Sequence, residues 1–279
     1  MAHIGALEAL LEQFEITGVV GTSMGAIVGG LFAMGNTPAE ILDIAMDSGS
    51  ASVFNPMYSA NGKALSLNLL KGLHPGRATL NLFERCTGGA VIQDLPIPYV
   101  AVAYDLRSRK TILIDKGPLA EAMRASSSIP MLFPPHRWGR YQFVDGGVEH
   151  PLPVAFGDSV PGMFTVAINV LPPVSTEAER ILIEPAARQR RIWPHQVFVQ
   201  SLLQNQGYIA IQSMLHKPPD LYIDAHDPQK KMFDLFQAKE FYDYGLRVAR
   251  ISLSQMEEPN FMEQVLKKYH TLLIRFFKK

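Results

Sequence analysis

The sequence predicts a three-layer α/β/α fold, with helices on both faces of a mostly parallel central sheet. Three observations carry that expectation. Short apolar runs with strand character alternate with stretches of helical period, the pattern of a parallel sheet covered on both sides. The first such strand, Ile16–Gly21, runs straight into a glycine-flanked turn and then a helix of small residues. The chain has 279 residues, 47% hydrophobic and 19% charged, enough to bury a sizeable core.

Taken in order, Ala2 to Phe14 sets Ile4, Leu7, Leu10, Leu11 and Phe14 on one helical face. Ile16–Gly21 reads as a buried strand, Thr22–Gly25 as a sharp turn, and Ala26–Met34 as a helix closed by Gly35 and Asn36. Pro38 opens another helix reaching about Ala45. From Asp47 to Gly89, glycines, prolines and serines punctuate short pieces such as Ala64–Leu73, as in an insertion or cap over the sheet. Ile97–Tyr104 and Thr111–Ile114 read as strands around a polar turn at Asp105–Arg109. Leu119–Ala125 is a helix, and Tyr141–Val144 a strand ending at Asp145. Phe164–Val170 is a further buried strand, His195–His216 a long helix, and Leu221–Ala225 a late strand. Helices near Ala238–Ile251 and Asn260–Phe277 finish the chain. The weak break at Pro172–Pro185 reads as a loop inside one domain spanning 1–279, not as a boundary.

Charge and targeting signals narrow the function classes. The 26 basic and 26 acidic side chains balance, which argues against a nucleic-acid binder, because phosphates demand an excess of Lys and Arg. One cysteine, Cys86, permits no internal disulfide and no thiolate metal cluster, and a buried small hydrophobe is the expected role. The eight histidines show no metal-ligand spacing. No basic n-region precedes an apolar run, and no apolar stretch nears 18 residues, so a cytoplasmic protein, at most peripheral to a membrane, is expected.

Two motifs carry chemistry. Gly21-Thr22-Ser23-Met24-Gly25 is a G-x-S-x-G sequence between strand and helix. A serine hydroxyl becomes a useful nucleophile when it is exposed, near a base and aimed at a carbonyl. A strand-to-helix turn exposes it, flanking glycines remove clashing Cβ atoms, and the helix N-terminus offers free amides to an oxyanion. The pentapeptide alone arises by chance in roughly one chain in ten of this length, so its weight comes from the strand before and the helix after. Phe143-Val144-Asp145-Gly146-Gly147 is the second: an acid at the end of a buried strand, at the sheet edge where α/β proteins gather ligands. Alone it reads more readily as a plain turn. A carboxylate there can serve as the base for serine without a histidine.

These motifs sit among others in a familiar order. Ala2-His3-Ile4-Gly5 leading to Gly21–Gly30 resembles the nucleophile region of patatin-like phospholipases. Arg124–Pro130, Phe133-Pro134-Pro135 and Val144–Val148 with Pro151-Leu152-Pro153 resemble that family's second block, and Leu95–Pro98 and Ala101–Leu106 fit between. The likeness covers residues 2–155, in the manner of bacterial single-domain members, and thins beyond Val170 to Asp220–Asp224 and the helix after it. It implies a Ser–Asp dyad, Ser23 attacking an ester carbonyl and Asp145 acting as base and then acid, with no metal or organic cofactor. It also implies that Arg124–Pro135 shapes the pocket wall. His150 stands where the family usually has Asn, and reads as a structural replacement.

The resemblance further implies a glycine-rich oxyanion loop ending in arginine directly before Ala2. The sequence as given begins at Met1. An upstream start, a fragment and a decayed copy are all open, with an upstream extension the expectation. Without such a loop the first donor to consider is the backbone N–H of Met24. The expected substrate is a phospholipid or other lipid ester, with peripheral membrane contact and no nucleic acid. Oligomeric state is not legible.

Other signals point elsewhere or nowhere. A Ser–His–Asp esterase would require a histidine such as His195 or His216. A catalytically silent lipid-binding protein is the alternative from a different class. Arg188, Arg190 and Arg191 before Trp193 read as a solvated turn. The stripe Met262, Val265, Leu266, Tyr269, Leu273 and Phe277 reads as core packing, the other option being an interfacial helix.

Overall fold

The computed structural model describes residues 1–46, 76–162, 164–172, 194–227 and 238–256. In chain order its elements are α1 (Ala2–Leu11), β1 (Val19–Thr22), α2 (Met24–Ala33), α3 (Pro38–Met46) and α4 (Gly76–Thr87). Then come β2 (Tyr99–Asp105), β3 (Lys110–Ile114), α5 (Leu119–Ser126), β4 (His136–Trp138) and β5 (Tyr141–Asp145). Last are β6 (Val166–Asn169), α6 (Pro194–His216), β7 (Leu221–Asp224) and α7 (Ala238–Met256). The expected helices at Ala64–Leu73 and Asn260–Phe277, the arginines before Trp193 and most of the Pro172–Pro185 break lie outside the described residues.

Boundaries shifted where a distant contact overruled the local pattern. The first helix stops at Leu11, where Glu12 N and Gln13 N tighten the last turn with bonds to Ala9 O and Leu10 O, three residues back, at 3.3 and 3.0 Å. Phe14, just past the helix, still packs on the α1 cluster and stacks on Phe164, with ring centroids 5.4 Å apart. β1 starts at Val19, not Ile16, because its partner begins pairing only at Tyr99, just past Pro98. The three-residue β4, which no periodicity announced, forms a hairpin with β5.

The main sheet has the order β1-β2-β5-β4, with β3 also paired to β2. β1 runs parallel to β2, matching Val19–Thr22 to Tyr99–Val102. β5 runs antiparallel to β2, matching Asp145 to Ala103 and Phe143 to Asp105. β3 takes Ala101 to Asp105, overlapping both of those stretches. A strand has two edges, so β3 occupies one, and β1 and β5 must follow one another along the other. Their C-terminal ends meet head to head at Val102 and Ala103. β6 and β7 form a separate parallel pair.

Side-chain alternation builds the layers. Tyr99, Ala101 and Ala103 of β2 face a core made with α2, α5, Ile4 and Leu7 of α1, and Phe83 of α4. Leu221 and Ile223 of β7 face α1 and α7. Between them Tyr222 points the other way, with Ala167 of β6, to Ala210 and Met214 of α6. Helices therefore cover both faces, the three-layer arrangement the sequence predicts.

The crossing of α1 and α7 is unusually close because both helices present small residues. Ala2, Ala6 and Ala9 meet Ala249 and Leu253 in one cluster. A Cβ on Gly5 would sit 2.0 Å from Tyr242 O, and one on Gly245 would sit 2.1 Å from Ala2 O. Backbone cannot yield as a flexible side chain does, so Gly245→Ala must push the helices apart. Overpacking of this kind costs about 1–3 kcal/mol. Urea unfolding of Gly245→Ala should show a loss at the upper end of that range, and an unchanged midpoint would refute the close crossing.

Candidate active site

The two turns singled out in the sequence converge where β1 and β5 meet. β1 ends at Thr22, and Ser23 then adopts φ 55° and ψ −118°, a conformation that side-chain-bearing residues rarely take. Such backbone costs on the order of 1–3 kcal/mol and persists only when its surroundings dictate it. Met24 follows as the first residue of α2, so the serine stands at a helix N-terminus. Crowding explains Gly21, where a Cβ would lie 2.4 Å from Gly25 O. It does not explain Gly25, whose Cβ would meet only His3 Nε2 at 3.9 Å. The bare backbone at Gly25 instead keeps space beside Ser23 open.

Asp145 ends β5 and is 1% exposed. One carboxylate oxygen, Oδ1, accepts from Gly147 N at 2.7 Å. Oδ2 is buried without a partner of regular hydrogen-bond geometry, although the Ser23 side chain lies close enough to favour the charged carboxylate. The Ser23 hydroxyl thus lies near Asp145 without the geometry of a regular hydrogen bond. Burial pushes Asp145 up to about 6, against the pull of Ser23 and the Gly147 amide. Gly146 has no room for a side chain, since a Cβ would fall 2.3 Å from Val102 O. The turns are also tied to each other, because Thr22 Oγ1 donates to His150 O at 2.8 Å.

Ser23 and Asp145 open on one cavity of about 190 Å³. Its walls are largely apolar, from Ile27 of α2, Phe83 of α4, Leu132, Phe133, and Leu202 and Leu203 of α6. A few polar groups converge on it, the composition expected of a small-molecule site. Thr22, Met24 and Gly147 line it too, whereas Gly21, Gly25 and Gly146 shape the backbone beneath.

Three lining side chains are not singled out as site residues by the sequence, although His3 stands inside the resembling Ala2-His3-Ile4-Gly5 segment. His3 of α1 has a buried, unpartnered Nδ1, and burial lowers its pKa to about 3. It is therefore neutral at physiological pH. Gln206 of α6 is buried and sits against Gly147, its Nε2 only 2.6 Å from where a Cβ would be. His226, just past β7, lines the far side. None is recoverable from spacing, because each comes from a different element. Of the histidines considered for a triad, His216 is exposed at the end of α6 and does not line the cavity; the side chain of His195 lies outside the described residues. His150 packs edge-on against Phe156, with centroids 4.6 Å apart. Among the described residues, no group of three or more His, Cys, Asp or Glu could hold a metal ion. Among them too, no helix is long and apolar enough to cross a membrane.

The model of the patatin-like phospholipase family matches residues 1–156. An uncharacterized NTE family protein of Mycobacterium tuberculosis is 35% identical over 170 residues, covering 61% of this chain and 45% of that protein. A patatin-like phospholipase domain-containing protein of Caenorhabditis elegans is 32% identical over 160 residues, covering 54% of this chain and 11% of its own length. Patatin-like phospholipase domain-containing protein 6 of Mus musculus is 26% identical over 174 residues, covering 61% and 12%. The chain thus spans less than half the length of these curated relatives.

The buried acid has a measurable signature. Asp145 holds its proton more tightly when folded than its ordinary value of 3.8 allows, so the native state binds the extra proton between about pH 4 and 6. Stability falls as pH rises through that window and levels off above it. Asp145→Asn cannot ionise and still accepts from Gly147 N. The variant should gain stability on wild type from pH 4 to pH 6, by on the order of 3 kcal/mol. Urea melts at pH 4 and pH 8 measure the gain, and a difference independent of pH would contradict it.

Proposed function

Because the chain belongs to the patatin-like phospholipase family, we propose that it hydrolyses the acyl ester of a phospholipid or other lipid through a Ser23–Asp145 dyad. The observation that carries this reading is the strained Ser23 at a helix N-terminus, sharing one cavity with a buried, proton-seeking Asp145. Residues 1–155 supply both motifs, and 156–279 complete the same domain.

Asp145 accepts the hydroxyl proton as Ser23 Oγ bonds to the ester carbonyl carbon. The carbonyl oxygen takes the negative charge and faces the amide of Met24 in the first turn of α2. Collapse expels the alcohol, which recovers the proton from Asp145 and leaves Ser23 acylated. Water then bonds to the acyl carbon as Asp145 takes its proton, and collapse releases the fatty acid while Asp145 returns that proton to Ser23 Oγ. Ile27, Phe83, Leu132 and Phe133 give the acyl chain an apolar lodging. A carboxylate with a pKa near 6 suits this work, since it ionises at neutral pH yet remains basic enough to take a proton.

Contact with a lipid surface fits the same face. Val197 and Phe198 of α6 are 49% and 41% exposed, and Leu202 and Leu203, a turn further on, line the cavity. Peripheral attachment would bring substrate to the mouth without a spanning segment.

A fluorophosphonate probe and a short-chain p-nitrophenyl ester test the assignment. Wild type should label at Ser23 and turn over the ester, with kcat/KM rising through an apparent pKa near 6. Ser23→Ala should abolish both, and Asp145→Asn should abolish turnover while remaining folded. His3→Ala and His226→Ala should keep the ionisation near 6. Near-normal turnover in Asp145→Asn would sink the dyad, and lipid binding without labelling would favour a silent lipid-binding protein.

A further inference from the structure

Ser126, the last residue of α5, is wholly inaccessible, and its hydroxyl makes two bonds at once. Oγ accepts from Ser23 N at 2.9 Å and donates to Val102 O at 2.7 Å. Val102 is the β2 residue paired with Thr22, next to the point where β1 and β5 meet. The hydroxyl therefore bolts the first atom of Ser23 to the central strand.

Strain makes this bolt consequential. Ser23 N–H has Ser126 as its partner, while Ser23 O accepts from Ala26 N at 3.0 Å and Ile27 N at 3.2 Å. The latter two bonds belong to α2 and would persist if the peptide before Ser23 rotated. The bond to Ser126 would not, so it selects the φ 55° conformation that presents the side chain to the cavity. It also divides the amides of the helix start. With Ser23 N–H committed, Met24 N–H and Gly25 N–H are left without a protein partner among the described residues.

The same short stretch grips the second turn. Asp145 N donates to Ser128 O at 3.0 Å, and Arg124 Nη1 donates to Ser128 Oγ at 2.6 Å. Arg124 is itself anchored by Gly76 O and Pro134 O. The end of α5 and the two residues after it thus touch the backbone of both Ser23 and Asp145.

We propose that Ser126 is a positioning residue, whose hydroxyl fixes the strained backbone of Ser23 and reserves the Met24 and Gly25 amides for the ester oxygen. This rests on the acyl-hydrolase reading above. A misplacement near 1 Å at a reacting group costs on the order of 100-fold in rate. Ser126→Ala in the full chain should therefore slow fluorophosphonate labelling of Ser23, and kcat for the p-nitrophenyl ester, by about 10- to 100-fold. KM should change by no more than about threefold, since the cavity walls are untouched. Ser126→Thr keeps the hydroxyl and should recover most of the labelling rate. Hydrogen exchange should show Ser23 N–H protected in wild type and Ser126→Thr, and exposed in Ser126→Ala. Leu253→Ala, in the cluster between α1 and α7, controls for lost stability and should label at the wild-type rate. Labelling of Ser126→Ala at the wild-type rate, or an equal fall in Leu253→Ala, would overturn the role of Ser126. A wild type that never labels would overturn the hydrolase reading itself, a separate and recognisable result.

Discussion

The whole site depends on two strand ends sharing one edge of β2. β1 arrives parallel and stops opposite Val102; β5 arrives antiparallel and stops opposite Ala103. Each strand delivers its last residue into the same small space, and the next residue of each carries or adjoins the chemistry. The geometry tolerates nothing bulky there, which is why Gly21 and Gly146 lie against backbone carbonyls at distances no Cβ could occupy. Packing of α5 beneath the junction supplies the hydrogen bonds that an interrupted edge would otherwise lack.

Two aspartates on this sheet show how the local supply of donors sets charge. Asp105 ends β2, and burial alone would raise it. Bonds from Gln142 N, Ser108 Oγ and N, and Arg107 N outweigh that and hold it down to about 2. Asp145 ends β5 with a single regular bond, from Gly147 N, and rises to about 6. One carboxylate is spent on structure and stays ionised. The other is kept hungry for a proton. Nothing in the residue type distinguishes them; the polar turn after Asp105 and the glycine pair after Asp145 do.

What could be read in advance was local. Gly21–Gly25 and Asp145–Gly147 declare themselves because a tight turn demands particular residue types at adjacent positions. Most helices and the late strands follow from apolar period, but α4 at Gly76–Thr87 lies in a stretch that the sequence marks only as an insertion or cap. The head-to-head meeting could not be read, since it is a relation among β1, β2 and β5 with nothing local to announce it. β4 is too short to show alternation. Ser126 looks like one serine in a run of three, and its bond to Ser23 spans 103 positions. His3, Gln206 and His226 reach the cavity from α1, α6 and the end of β7, so a linear scan sees three unrelated polar residues.

The shared edge also makes β2 a ruler. The spacing between the ends of β1 and β5 is set along one strand, by the rise of its residues, about 3.3 Å each. It does not depend on the twist between neighbouring strands, which ranges over roughly 10–35°. Apart from Ile27 of α2, the apolar walls named above belong to other elements: α4, α6 and the loop through Leu132 and Phe133. Such a division lets the lodging be rebuilt for a new guest while the proposed Ser23–Asp145 pair keeps its distance. It also names a seam for redesign, the exposed Gly139 turn between β4 and β5, where a Cβ would meet nothing within 4 Å. Chain termini relocated to that turn would leave the ruler uncut.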